Sequence, residues 1–145
     1  MRPLWIALLL VPVIVLAALL SRFSREEVDR VDVQWEAGWP GSPPARASLV
    51  PGARQLVPWR RGEVCSVAVF ISGTQVALGT VTDIGMGLTY RQRSQAKRIE
   101  ADQLGPGRLV LTLVNLDPRT GKAARQVFLR VERQDGALSF EFPVD

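Results

Sequence analysis

The stretch that decides the fold runs from Val127 to Phe142, VFLRVERQDGALSFEF. Asp135-Gly136 stands at its centre with alternating residues on both sides, and that dipeptide between alternating runs is the strongest local signal for a two-residue β-hairpin. Leu138, Phe140 and Phe142 fall on one face of the second arm, with Ser139 and Glu141 on the other. Side chains of a strand point alternately to opposite faces, so this arm has one buried and one wet side.

Working outward, the same period recurs. Val31 to Ala37 (VDVQWEA) alternates strictly, with Val31, Val33, Trp35 and Ala37 opposite Asp32, Gln34 and Glu36. Val64 to Ile71 and Gln75 to Thr82 flank Ser72-Gly73-Thr74, which suits a short hairpin loop. Leu109 to Leu116 leads through Asp117-Pro118 and Gly121, residues of turn chemistry, into the run that carries the central hairpin. A strand is expected near Leu88 to Gln92. Residues 96–104 fit a short helix or an edge strand, and Gly105-Pro106-Gly107 ends them. The expectation is an all-β domain, an antiparallel β-sandwich or small barrel of six to eight strands.

Between Gly38 and Gly62 the pattern breaks. Five prolines and four glycines forbid a helix and fragment any strand, so residues 38–62 read as a long ordered loop. Trp39, Leu49, Val50, Leu56, Val57 and Trp59 are too apolar for a solvated linker. Two roles fit. The tryptophans plug the edge of the domain, or Trp39, Trp59, Arg60 and Arg61 form a protein-docking surface, since Trp and Arg dominate binding hot spots.

The N-terminus is of another kind. Leu4 to Leu20 is seventeen residues without charge, about 26 Å as a helix and near the minimum for crossing a bilayer core. Arg2 supplies a short positive flank. The run is long for a cleaved signal, and bulky Leu19 and Leu20 stand where a cleavage site wants small residues. Residues 1–21 are therefore expected to be a transmembrane anchor or uncleaved signal-anchor, 22–30 a juxtamembrane stalk, and 31–145 the β-rich domain. Arg22, Arg25 and Arg30 follow the span, which argues for a cytoplasmic C-terminus. Translocation of a long domain is largely indifferent to such charges, and the very short N-tail is signal-like. A single-pass protein of the inner (cytoplasmic) membrane with an exported C-terminal domain is the expectation; a cytoplasm-facing domain is the alternative.

Composition narrows the chemistry. Sixteen Arg against two Lys suit a GC-rich bacterial genome, and the formal net charge is +4. For an exported chain this excess favours anionic lipid, polyanionic wall material or an acidic protein over nucleic acid. There is no histidine, which excludes His-based triads, His-ligated zinc and His proton shuttles. The single cysteine, Cys65, forms no internal disulfide, supports no CxxC chemistry and lies in an apolar run where thiols behave as small hydrophobes. No metal or other cofactor is expected.

Ser94-Gln95-Ala96-Lys97 has the S-x-x-K spacing of serine acyl-transferases, but that chemistry needs a desolvated neutral lysine. Arg91, Arg93 and Arg98 make the surroundings basic and solvated instead. Asp83, Asp102, Asp117 and Asp135 sit at expected turns and do not cluster as calcium ligands do. No catalytic residue set emerges. One basic run stands out: Tyr90, Arg91, Arg93, Lys97 and Arg98 could stack on and neutralise a polyanion, or form a solvated surface. The expected function is that of an envelope protein whose β-domain binds another protein, as assembly factor, accessory subunit or inhibitor-like module. An envelope polyanion- or lipid-binding module using residues 90–98 is the alternative.

Overall fold

Ten strands follow one another in the computed structural model, which describes residues 27–37, 44–60, 62–82, 85–134 and 136–144. They are β1 (Val31–Ala37), β2 (Ala45–Leu49), β3 (Arg54–Pro58), β4 (Cys65–Ile71), β5 (Thr74–Val81), β6 (Met86–Tyr90), β7 (Lys97–Gly105), β8 (Arg108–Leu116), β9 (Ala123–Gln134) and β10 (Ala137–Glu141). All pairings are antiparallel. One five-stranded sheet has the order β2-β1-β4-β5-β6, and the other β3-β10-β9-β8-β7.

The turns follow from residues that accept positive φ. Ile71 pairs with Thr74, leaving Ser72 (φ 50°) and Gly73 (φ 76°) as a two-residue loop. Positive φ at both central positions gives the turn whose twist matches its strands. Gln134 pairs with Ala137 across Gly136 (φ 84°), so the central hairpin forms in the register that its sequence predicts.

Both sheets turn their apolar faces to one core. Val31, Val33, Val67 and Val69 come from the first sheet, and Leu109, Leu111, Leu113, Leu138 and Phe140 from the second. Trp35 and Phe140 stack across the two sheets at 5.9 Å between ring centroids. Phe142, beyond β10, continues the buried face as the alternation requires.

The sequence reading undercounts the strands, for identifiable reasons. Residues 38–62 contain β2 and β3, which form the outer strands of the two sheets. Edge strands tolerate proline because one row of their N–H groups has no ladder partner. Pro44 precedes β2, Pro51 lies in the turn between the strands and Pro58 ends β3. Residues 97–105 are likewise an edge strand and not a helix, with Ile99 buried against β8. Asp102 therefore sits within a strand, exposed, rather than at a turn; a charge there suits an edge, where it discourages pairing with other chains. The expected strand at Leu88–Gln92 is shifted to Met86–Tyr90. Gly79 explains how closely this strand lies against β5: a Cβ there would come within 1.9 Å of the Gly87 carbonyl oxygen.

The domain begins before the first strand. Val28, placed in the expected stalk, is 3 % exposed and belongs to the core. Its N–H donates to Gln126 Oε1, and its carbonyl accepts from Gln126 Nε2, both at 2.8 Å. One amide side chain on β9 thus satisfies both backbone groups of Val28 as a neighbouring strand would. Replacing Gln126 with alanine removes both bonds from a part-buried site, and a loss of about 1–3 kcal/mol is expected in urea denaturation. The expected anchor, Leu4 to Leu20, lies outside the described residues; among the described residues no helix is long and apolar enough to cross a membrane.

Candidate functional site

Strand register assigns each candidate side chain to one of two ends of the domain. At the first end, Val31 opposes Leu49 and Ile71, and Ala77 opposes Tyr90. In the second sheet Lys97 opposes Asn115, and Leu116 opposes Ala123. The Val28 clamp on Gln126 and the short connection from Tyr90 to Lys97 tie these sheet ends together. At the opposite end lie Ala37, Cys65, Met86, Gly105, Gln134 and the segment after Pro58. The two ends are separated by roughly 23 Å, the rise of a seven-residue strand.

Trp59 and Arg60 lie at the far end, whereas Trp39 and Arg61 are outside the described residues. Trp59 is 6 % exposed and part of the core. Its backbone N–H donates to the Gly136 carbonyl at 3.1 Å. The Arg133 guanidinium lies over its ring at 5.2 Å while donating to the Thr82 carbonyl. The indole N–H is buried without an acceptor among the described residues. Trp59 therefore plugs the far end of the core, and Arg60 stands in the open beside it, its N–H bonded to Glu63 Oε2.

The basic run lies at the first end, but not as one patch. Tyr90, Arg91 and Arg93 are exposed on β6 and the following connection. Tyr90 and Arg91 border a shallow depression of about 370 Å³ with Gln75 and Leu78. Lys97 and Arg98 are half-buried on β7. Arg98 is drawn back along the sheet by Glu100, which also accepts from Arg125 at 2.6 Å. The Arg125 bond, with that of Arg98, holds the Glu100 carboxyl below its ordinary range. Ser94 and Lys97 do not share a helical face. The Ser94 hydroxyl accepts the Lys97 backbone N–H at 3.0 Å, in a turn that leads into β7.

Sequence reasoning missed the one buried carboxylate among the described residues. Asp32 falls on the outer, nominally wet face of β1, yet its side chain is only 4 % exposed. The Ser48 hydroxyl donates to it, and Arg30 and Arg46 approach at 3.5 and 3.3 Å. Arg46 also lies over the Phe70 ring at 5.6 Å. The Ser48 hydrogen bond, helped by the two arginines, holds the Asp32 carboxyl below its ordinary 3.8 despite burial. A carboxyl depressed on folding contributes stability above its unfolded pKa and loses it as pH falls through the folded value. Wild-type protein is thus expected to lose more stability than Asp32→Ala between about pH 5 and pH 2, with the difference between them greatest at neutral pH. Denaturation midpoints at stepped pH measure this; parallel curves contradict it. The cluster is local and satisfied, so it reads as a clasp between β1 and β2.

Cys65 is buried and free, and burial pushes its thiol up, away from nucleophilic thiolate. Asp117 caps its own turn, its carboxylate accepting the Arg119 N–H at 2.9 Å, while Asp83 and Asp135 lie outside the described residues. Among the described residues no group of three potential metal ligands converges. No protein-family model, curated protein or solved structure matches the chain.

Proposed function

We propose that the chain is a single-span envelope protein whose exported β-sandwich domain binds another protein at the end turned away from the membrane. The observation that supports this is the Val28 clamp. It fixes Val28, eight residues beyond the apolar run, to one end of the domain and leaves Trp59 and Arg60 at the other. In an anchored chain, that far end is the part a partner in the envelope meets first.

In this reading Trp59 is a support and not a contact. It holds the connection between β3 and β4 from beneath, and the contact is made by Arg60 with Arg61 and Trp39. Arginine and tryptophan anchors of this kind typically carry 2 kcal/mol or more of binding each, roughly thirtyfold in affinity.

Pull-down of the tagged full-length chain from solubilised membranes tests the reading. Trp39→Ala with Arg60→Ala is expected to abolish capture of a partner that wild type retains, with the melting temperature nearly unchanged. Undiminished capture by the double variant defeats the assignment. A periplasm-active reporter fused after Asp145 is expected to be active; activity of a cytoplasm-only reporter places the domain on the other side.

A further inference from the structure

We propose that the first end of the domain docks onto anionic lipid headgroups, so that the domain sits down on the membrane in one orientation. This rests on the anchored reading of Leu4–Leu20 and specifies what the opposite face of the domain does.

Chain length brings the surfaces together. From Leu20 to Val28 there are eight residues, at most about 28 Å when fully extended. Val28 is pinned to Gln126. The end that carries Val28 is therefore tethered within about 28 Å of the bilayer, the nearer of the two ends along the chain, and it is the surface chemistry of that end that would fix the orientation.

The chemistry of that end fits a headgroup layer. Exposed cations converge there from separate segments: Arg30 before β1, Arg91 and Arg93 after β6, and Arg119 and Lys122 in the β8–β9 hairpin. In sequence these segments are far apart, and only the fold gathers them. Acidic groups at this end are Glu27, Asp29, Asp32 and Asp117. Asp117 is engaged in its own turn, and Asp32 is buried and paired with Arg30 and Arg46, so Arg30 offers the bilayer less than a full charge and the excess rests on Arg91, Arg93, Arg119 and Lys122. Interleaved with the cations are exposed apolar groups, Tyr90, Leu116 and Val50. Basic side chains mixed with an aromatic and aliphatic tips are what an interfacial surface presents to anionic lipid. The far end has Arg60 and Glu63 together with the paired Arg108 and Glu132, and lacks this one-sided excess among the described residues.

Full-length protein is reconstituted in nanodiscs of phosphatidylcholine alone, or with about a third phosphatidylglycerol, and amide exchange is followed in residues 91–96 and 117–122. Both segments are expected to be protected about tenfold or more in the anionic discs only. At about 1 M salt, where the screening length falls to about 3 Å, the protection is expected to vanish. Each cation removed near such a surface lowers docking about fivefold, so Arg91→Gln, Arg119→Gln and Lys122→Gln together weaken it on the order of a hundredfold. Exchange in β8 reports the fold and is expected to stay the same. Equal exchange in both disc types, with the protein retained through an alkaline wash, overturns the docking and leaves the anchor standing. Release of wild type by that wash overturns the anchor and the docking with it.

Discussion

Trp59→Ala is expected to cost about 3–5 kcal/mol of folding stability, the range for truncating a buried large aromatic. The ring is 6 % exposed within the shared core and covered by Arg133. Its removal opens a void at the junction of β3, β4 and the central hairpin. In urea denaturation the midpoint should fall steeply, and in thermal melts by more than about 10 °C. Trp59→Phe is the informative companion. It keeps most of the ring and deletes the indole N–H that has no acceptor, so a loss of only about 1 kcal/mol is expected. If Trp59 were a docking residue, both variants would melt like wild type and fail only in partner capture. That pattern would refute the structural role assigned here.

Phe140→Ala is expected to be as damaging, about 3–5 kcal/mol, for a different reason. Phe140 is fully buried on β10 and stacks on Trp35 of β1, so it joins the sheets directly. Its neighbour Ser139, on the other face, only accepts a hydrogen bond from Arg54 Nε at 2.9 Å. Ser139→Ala is expected to lose about 1 kcal/mol. Both positions are buried, so the contrast between them separates the loss of an apolar core contact from the loss of one buried hydrogen bond. A double-mutant cycle with Trp35→Ala should reveal a coupling of about 0.5–1.5 kcal/mol for the stacked pair. Additive losses would mean that the rings fill space independently.

These expectations rest on local signals of unequal reach. The alternation around Asp135-Gly136, in VDVQWEA and in LVLTLVNL was enough to determine an all-β domain, because side-chain direction in a strand depends only on parity. The hairpin turns were legible for a similar reason: Gly73 and Gly136 sit at positive φ, a requirement met within two residues. The burial of Cys65 and the absence of histidine chemistry likewise needed only the sequence.

What sequence alone could not assign was anything whose cause lies on another strand. β2 and β3 look like proline-broken loop until β1 and β10 supply their hydrogen-bond partners. Residues 97–105 carry a pattern that suits helix or strand, and pairing with β8 decides between them. Asp32 occupies a polar position by parity, and it is buried only because Ser48, Arg30 and Arg46 close over it. Trp59 and Tyr90 were both plausible contacts in sequence. Tertiary structure separates them by burying one in the far end of the core and exposing the other beside the end that carries Val28. The sequence thus determined the strands that carry a period-two pattern and the apolar face of each, since those follow from neighbours along the chain, but not that Asp32 and Ser139 on the opposite faces are buried too. The edges, the clasp at Asp32 and the two ends of the domain were decided by contacts between residues distant in the chain, which no local pattern encodes.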